Sequence, residues 1–366
     1  MMLTIMYFLS HSLSNIPTSR TFIIKNCANT YFSWEEFYQD EPKTRVYQSK
    51  FNDYTYETYR SYYLKNLVIH DLKNNAIFLK IQNTTKFLVE SCSFSDIVTN
   101  FATKLYTDNW DDTEAGAIWF GAAKSSCIIN RCSANRCYNK IKPSDYYRDG
   151  GNFANFRFTE NKILLTSIQS CAPDYYGVNA FRSRDTSGNY TGLNISNCKA
   201  VNTPMFTKFP GQDDSIKYSL FNGNLAKSNF GIAIVYKGNF TIDSCYFFNN
   251  SASYLIRTTH GVKLIVKNSI FTVNIYNDDE YIACAFYGRD GNVTNFSNIY
   301  IQNCYFETEN PKFTRASDAS ISYDHVNNTS IKDEVIKEIN NQFRFIPITN
   351  SQPIYQLRMR RAHVKY

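Results

Sequence analysis

Alternating apolar and polar positions recur along the chain in short stretches that end on a small residue. Phe240–Ser251, FTIDSCYFFNNS, carries the pattern in full: Phe240 and Ile242 apolar, Asp243 polar, Ser244 before Cys245, and Phe247 two positions later. The same frame fits Phe22–Asn29, Phe87–Phe94, Cys127–Ala134, Thr166–Pro173, Leu193–Ala200, Leu264–Phe271 and Ile299–Phe306. Three residues before the small one stands Ile or Val, and two before it a polar residue. That alternation has the period of a strand with one buried face. The residue just before the small one is Asn or Ser in most copies, as at Asn26, Asn197, Asn268 and Asn303. Asn tolerates the left-handed backbone of a sharp bend. The small residue itself is Cys27, Cys92, Cys132, Cys171, Cys198, Cys245 or Cys304, and once Ser269. These cysteines are read as a single inward ladder.

A second, looser strand precedes most copies, in Asn75–Lys80, Ala115–Phe120, Gly177–Phe181, Gly231–Tyr236 and Tyr281–Phe286. Two strands and a bend per unit, repeated at intervals too long for hairpins, predict an all-β parallel β-helix, a solenoid. Weaker coils fit Leu67–Leu72 and Ile216–Asn224. About ten coils at roughly 4.8 Å would stack to about 45–50 Å. Residues 1–20 lead into a parallel β-helix domain spanning 21–326, with a Tyr-rich insert at 31–63 that is either a side loop or a degraded coil. At Ser330–Phe343 the period changes: Ile331, Val335, Ile339 and Phe343 recur every four residues, with Thr329 or Ser330 as N-cap. This predicts a short helix that caps the last coil, within a segment 327–366 ending in a basic tail.

Composition refines the reading. Of 366 residues 28 are Tyr and 28 Phe, enough for stacked rings inside and Tyr-rich loops outside. A net charge of +7 permits attraction to acidic glycans or headgroups but defines no class, and no nucleic-acid motif is present. The ten cysteines mostly fall at the inward position, where a small buried thiol packs well. If one bridge forms, Cys132–Cys137 is the pair the spacing favours. No metal-ligand spacing accompanies the cysteines, and no cofactor motif appears. Sequons stand at Asn83, Asn189, Asn194, Asn239, Asn249, Asn292, Asn295, Asn327 and Asn328. Met1–Leu9 is apolar but lacks a basic start and a cleavage site, and no apolar run is long enough to span a bilayer.

The Gly116-Ala117-Ile118 strand and the Phe-x-x-Asn units Phe221–Asn224 and Phe247–Asn250 resemble the repeat of polymorphic outer-membrane proteins. More broadly, residues 20 to 310 or so resemble right-handed β-helix proteins of the pectin-lyase-like superfamily, including surface families of unicellular parasites. The resemblance implies right-handed coiling and a secreted or cell-surface protein that binds glycans or host and matrix proteins through its flank and loops, such as 108–114 and 142–151. The same architecture hosts lyases and hydrolases of acidic polysaccharide. Polygalacturonase-like members carry a paired Asp, and Gly211-Gln212-Asp213-Asp214 resembles it, with Thr259-His260-Gly261 offering the only histidine in a related setting. Asp213, Asp214 and His260 are therefore the catalytic candidates of the enzymatic alternative. The partner motifs of that family are absent. Asp111-Asp112 and Asp278-Asp279-Glu280 lack the spacing of a calcium loop and read as solvated turns. A non-catalytic binding protein is the leading expectation, ahead of an enzyme and of a functionless member of an expanded gene family.

Overall fold

The computed structural model describes residues 34–39, 44–46, 51–53, 61–81, 84–100, 116–140, 151–171, 179–184, 187–200, 203–208, 213–226, 231–286, 297–307, 319–324 and 330–343. The chain divides into two units, Met1–Glu41 and Pro42–Tyr366. In the first, the helix Trp34–Tyr38 brings its two terminal rings to 4.6 Å. Cys27 and Asn26 lie outside the described residues.

Among the described residues the second unit is a stack of parallel strands in two main sheets, one of eighteen strands and one of nine, with a further two-stranded pair. Strands of 13 and 17 residues, Ile118–Asn130 and Ser251–Lys267, cross the larger sheet with an irregularity midway that divides each rung into two faces. Eight three-residue strands, from Val68–His70 through Tyr246–Phe248 to Ile270–Thr272, and the two-residue strand Tyr305–Phe306 make the nine-stranded third face. Side chains alternate as the pattern predicts: Leu64, Val89, Ile129, Ile163, Ile216, Ile242, Val266 and Ile301 all point inward and are buried. Phe221, Phe247, Phe271 and Phe306 stack inside, with centroids 4.5–4.9 Å apart and rings within 12° of parallel. The Tyr-rich stretch contributes coil: Thr44–Val46 pairs with Tyr62–Leu64 and Phe51–Asp53 with Ile77–Leu79.

Each rung turns through two left-handed bends rather than one. The first column is Asn66, Ser91, Arg131, Leu165, Gly192, Tyr218, Ser244, Asn268 and Asn303; the second is Asp71, Asp96, Arg136, Ser170, Asn197, Gly223, Asn249 and Val273, with φ from 48° to 66° throughout. Rungs hold these conformations from both sides. Ser244 N donates to Lys267 O in the next rung, and Tyr246 N donates to Ser219 O in the previous one.

The cysteines therefore form two columns and not one ladder. Cys92, Cys132, Cys245 and Cys304 follow the first bend, together with Thr166, Ser219 and Ser269. Cys137, Cys171 and Cys198 follow the second, and Asn224, Asn250 and Asn274 continue that column. Cys92, Cys127, Cys132, Cys137, Cys171, Cys198, Cys245 and Cys304 are free and buried, and Cys132 and Cys137 lie in different columns. The inward position takes a small donor at most rungs and an apolar side chain at Leu67, Leu72, Ile97 and Leu193. Ser269 Oγ donates to Lys267 O at 2.8 Å and accepts from Cys245 N at 3.1 Å. The Cys245 thiol likewise donates to Asp243 O at 3.4 Å. In the second column Asn250 Nδ2 donates to Phe221 O (2.9 Å) and to Asn274 Oδ1 (3.0 Å), while its Oδ1 accepts from Asn224 N and Nδ2.

The helix Ser330–Phe343 forms, but it lies along the flank instead of over the last coil. Ile331, Val335, Ile336 and Ile339 share one buried cluster with Leu220, Tyr246 and Ile270 on the outer side of the nine-stranded sheet. Lys332 Nζ sits 5.0 Å from the Tyr305 ring, and Gln342 abuts Gly192, so the helix runs back down the stack. Fourteen residues span about 21 Å. The four steps from Tyr305 to Gly192 span about 19 Å. Outward apolar residues on these rungs, where a solvated face would carry polar ones, direct the helix to this place.

Candidate functional site

The Asp pair is split by the sheet. Asp213 is exposed, whereas Asp214 occupies an inward position in the same column as Phe240 and is buried. The Asp214 carboxylate accepts from Ser187 Oγ at 2.9 Å and from Gly188 N at 2.8 Å, which ties one rung to the next. Next to it the Tyr190 hydroxyl, driven up in pKa mainly by burial, lies among Ser183, Asn161 and Asp214. Gly188 leaves room for that hydroxyl: a Cβ there would stand 2.2 Å from it. Asp214 is thus part of a polar plug inside the solenoid and does not converge with Asp213. The backbone of His260 lies in the strand Ser251–Lys267; its side chain is outside the described residues.

Other polar groups also resolve. Asp278-Asp279-Glu280 falls within the strand Ile275–Phe286, where the register shifts, and not in a turn; its side chains lie outside the described residues. Asp111, Asp112 and the loops 108–114 and 142–150 are outside as well. His70 is exposed and holds Asp71 at 2.7 Å. No group of three or more His, Cys, Asp or Glu among the described residues is placed to hold a metal ion. No described helix is long and apolar enough to cross a membrane. Burial raises the thiol pKa of Cys245 and Cys304 to about 12 and pushes those of Cys127, Cys132, Cys137 and Cys198 upward as well. Cys92 is drawn down, chiefly by its hydrogen bond with the Cys132 thiol.

Four sequons are described. Asn189 accepts from Ser215 Oγ, Asn194 donates to Ser167 Oγ, Asn239 is half-buried in mid-strand, and Asn249 is exposed at a second bend. Asn83, Asn292, Asn295, Asn327 and Asn328 lie outside the described residues.

One face of the larger sheet carries a pattern of cationic positions that the repeat frame misses. On the first face of the larger sheet, backbone register places Phe78, Trp119, Asn155, Arg182, Phe206, Ile234 and Arg257 in one column, of which Trp119, Asn155 and Ile234 are buried. Lys80, Gly121, Arg157, Arg184, Lys208, Tyr236 and Thr259 form its neighbour. Phe181, Ser183, Met205 and Thr207, between them in sequence, are buried inside. Neither column contains Asp or Glu. Arg157, Arg182, Arg184 and Lys208 fall on three successive rungs, spaced by about 4.8 Å along the stack. Arg157 is buried and Arg257 half-buried. Trp119 is buried too: its ring stacks on Phe78 at 4.7 Å and lies over Gly121, where a Cβ would stand 2.4 Å away. The available signal was Arg-Ser-Arg directly after an inward Phe, following Asn-Phe-Arg at 155–157. The repeat frame was anchored on the other strand and left these residues in connecting sequence.

These faces and columns define a parallel β-solenoid. No protein-family model matches the chain, and no curated protein matches it.

Proposed function

We propose that this protein is a non-catalytic binding solenoid, right-handed and of the pectin-lyase-like type, that acts at the cell surface or after secretion and holds acidic glycans along the first face of its larger sheet. The observation that carries this reading is the backbone register, which lines up the positions of Lys80, Arg157, Arg182, Arg184, Lys208 and Arg257 in two columns that contain no acidic residue. Aligned cations at a regular spacing suit a linear polymer bearing one acidic group per unit, because guanidinium groups bind oxyanions in pairs of hydrogen bonds. Trp119 is already packed on Phe78 and Gly121, which favours recognition by charge over stacking. A hydrolase or lyase is the weaker alternative, since Asp214 is committed to Ser187 and Gly188 inside the coil. The test is a glycan array probed with purified full-length chain, combined with surface labelling of intact cells. Retention of acidic and not neutral glycans, weakening with salt, is the expected result. Release of shortened or unsaturated products from a retained polymer would establish the enzyme instead, and an array with no binding would sink both.

A further inference from the structure

We infer that Asn249 is the described sequon that carries an N-linked glycan, an inference resting on the export proposed above. In Asn249-Asn250-Ser251 the two asparagines have opposite fates. Asn250 is buried in the amide column, whereas Asn249 is exposed at a left-handed bend with φ 52°. The Asn249 backbone N–H is bonded to Thr272 O, and among the described residues its side-chain amide has no partner. Its neighbours in the bend column are Gly223, which has no side chain, and Val273. Val273 is 51% exposed, and Ile275, in register with Ser251, is 58% exposed. Two of the large hydrophobic side chains left open by the fold thus lie beside Asn249, where the apolar face of a core sugar would cover them.

The remaining described sequons lack this setting. Asn194 stands on the outer side of the nine-stranded sheet, in the column of Leu220 that the C-terminal helix covers further along. Asn189 and Asn239 lie within the larger sheet, where a glycan would crowd adjacent rungs. Transfer takes place on the extended chain, so the fold selects by what it can hold once the coil has closed. In the step itself Asn249 Nδ2 bonds to the anomeric carbon of a lipid-pyrophosphate-linked oligosaccharide. The anomeric C–O bond breaks, the lipid pyrophosphate leaves with the electron pair, and the amide gives up one proton.

The experiment drives the full chain into the secretory route of a eukaryotic host with an added signal sequence. Site occupancy is read by peptide mass spectrometry after enzymatic deglycosylation in heavy-oxygen water, on the protease-resistant fraction wherever it accumulates. Asn249 should be occupied, and N249Q and S251A should each lose one glycan while the folded yield is kept. A folded chain with Asn249 unmodified overturns the inference. If the native cell keeps the chain inside and unglycosylated, the export reading fails, while the driven-export result still decides Asn249.

Discussion

Two bends five residues apart use one local code, and this sets what single residues can tolerate. Ile168-Gln169-Ser170-Cys171 at a second bend and Ile242-Asp243-Ser244-Cys245 at a first bend share the same order: apolar, polar, left-handed, small. Local sequence therefore announces a bend, and only pairing across rungs tells which bend it is. That is why the alternation and the left-handed positions were legible, while the division of the cysteines into two columns was not. Asn250 shows the cost of breaking a column. Asn250→Ala would leave Phe221 O, Asn224 N and Asn274 Oδ1 short of a partner in a dry core, so a loss of about 3 kcal/mol is expected in urea unfolding. Val273 is a β-branched residue at φ 55°, and Val273→Asn should raise stability by about 1 kcal/mol by the same assay. The buried thiols add a pH dependence. Cys245 has its pKa raised from 9.0 to about 12, so the folded state keeps a proton that the unfolded chain has lost in that interval. Stability is then full below pH 9.0 and falls as pH rises towards 12, by about 1.4 kcal/mol per pH unit for each such thiol. Cys245→Ser, which repeats the chemistry of Ser269, should flatten that alkaline slope against wild type. Equal slopes would argue that the thiol is not the titrating group.

At the scale of elements, the helix Ser330–Phe343 was legible as a helix because Ile331, Val335 and Ile339 share one face, but its docking place was not. The partners Leu220, Tyr246 and Ile270 come from three separate rungs and become a continuous strip only when the rungs stack in register. A cap and a flank helix demand the same amphipathic pattern, so the pattern alone leaves the target open. Ile339 is fully buried in this contact, and Ile339→Ala should cost about 2–4 kcal/mol of helix docking. Because the strands retain their own ladders, the change should release the helix and leave the solenoid folded. Limited proteolysis would then cut near 330–343 while circular dichroism keeps its strand signal. Global loss of the strand signal at the same temperature would mean that the helix is integral to the stack. The uncovered strip of Leu220, Tyr246 and Ile270 should also promote self-association, read by sedimentation velocity.

For the molecule as a whole, the distribution of charge matters more than its sum. A net charge of +7 over 366 residues is modest, yet the register gathers cationic positions on successive rungs in two columns without an acidic residue, while carboxylates such as Glu90, Asp96 and Asp243 lie elsewhere. Several of those are already neutralised: Lys65 holds Glu90 at 3.2 Å, Lys267 holds Asp243 at 3.4 Å, and Arg136 grips Asp96. These columns are therefore unbalanced in charge along the register, and a stacked fold makes them linear without any one coil being special. Binding of a polyanion should follow from the array and not from a single residue. Arg182→Glu with Arg184→Glu should lower affinity for an acidic glycan by about tenfold or more, since each lost guanidinium contact is worth about 1.5–3 kcal/mol before screening. The remaining affinity should depend less steeply on salt, because fewer ions are exchanged on binding. Both are read by titration calorimetry across an ionic-strength series, with the folded state checked by thermal unfolding. If the double variant keeps full affinity and the same salt slope, the glycan is held on another face, and the half-exposed second face around Lys217, Asp243 and Lys267 becomes the next place to test.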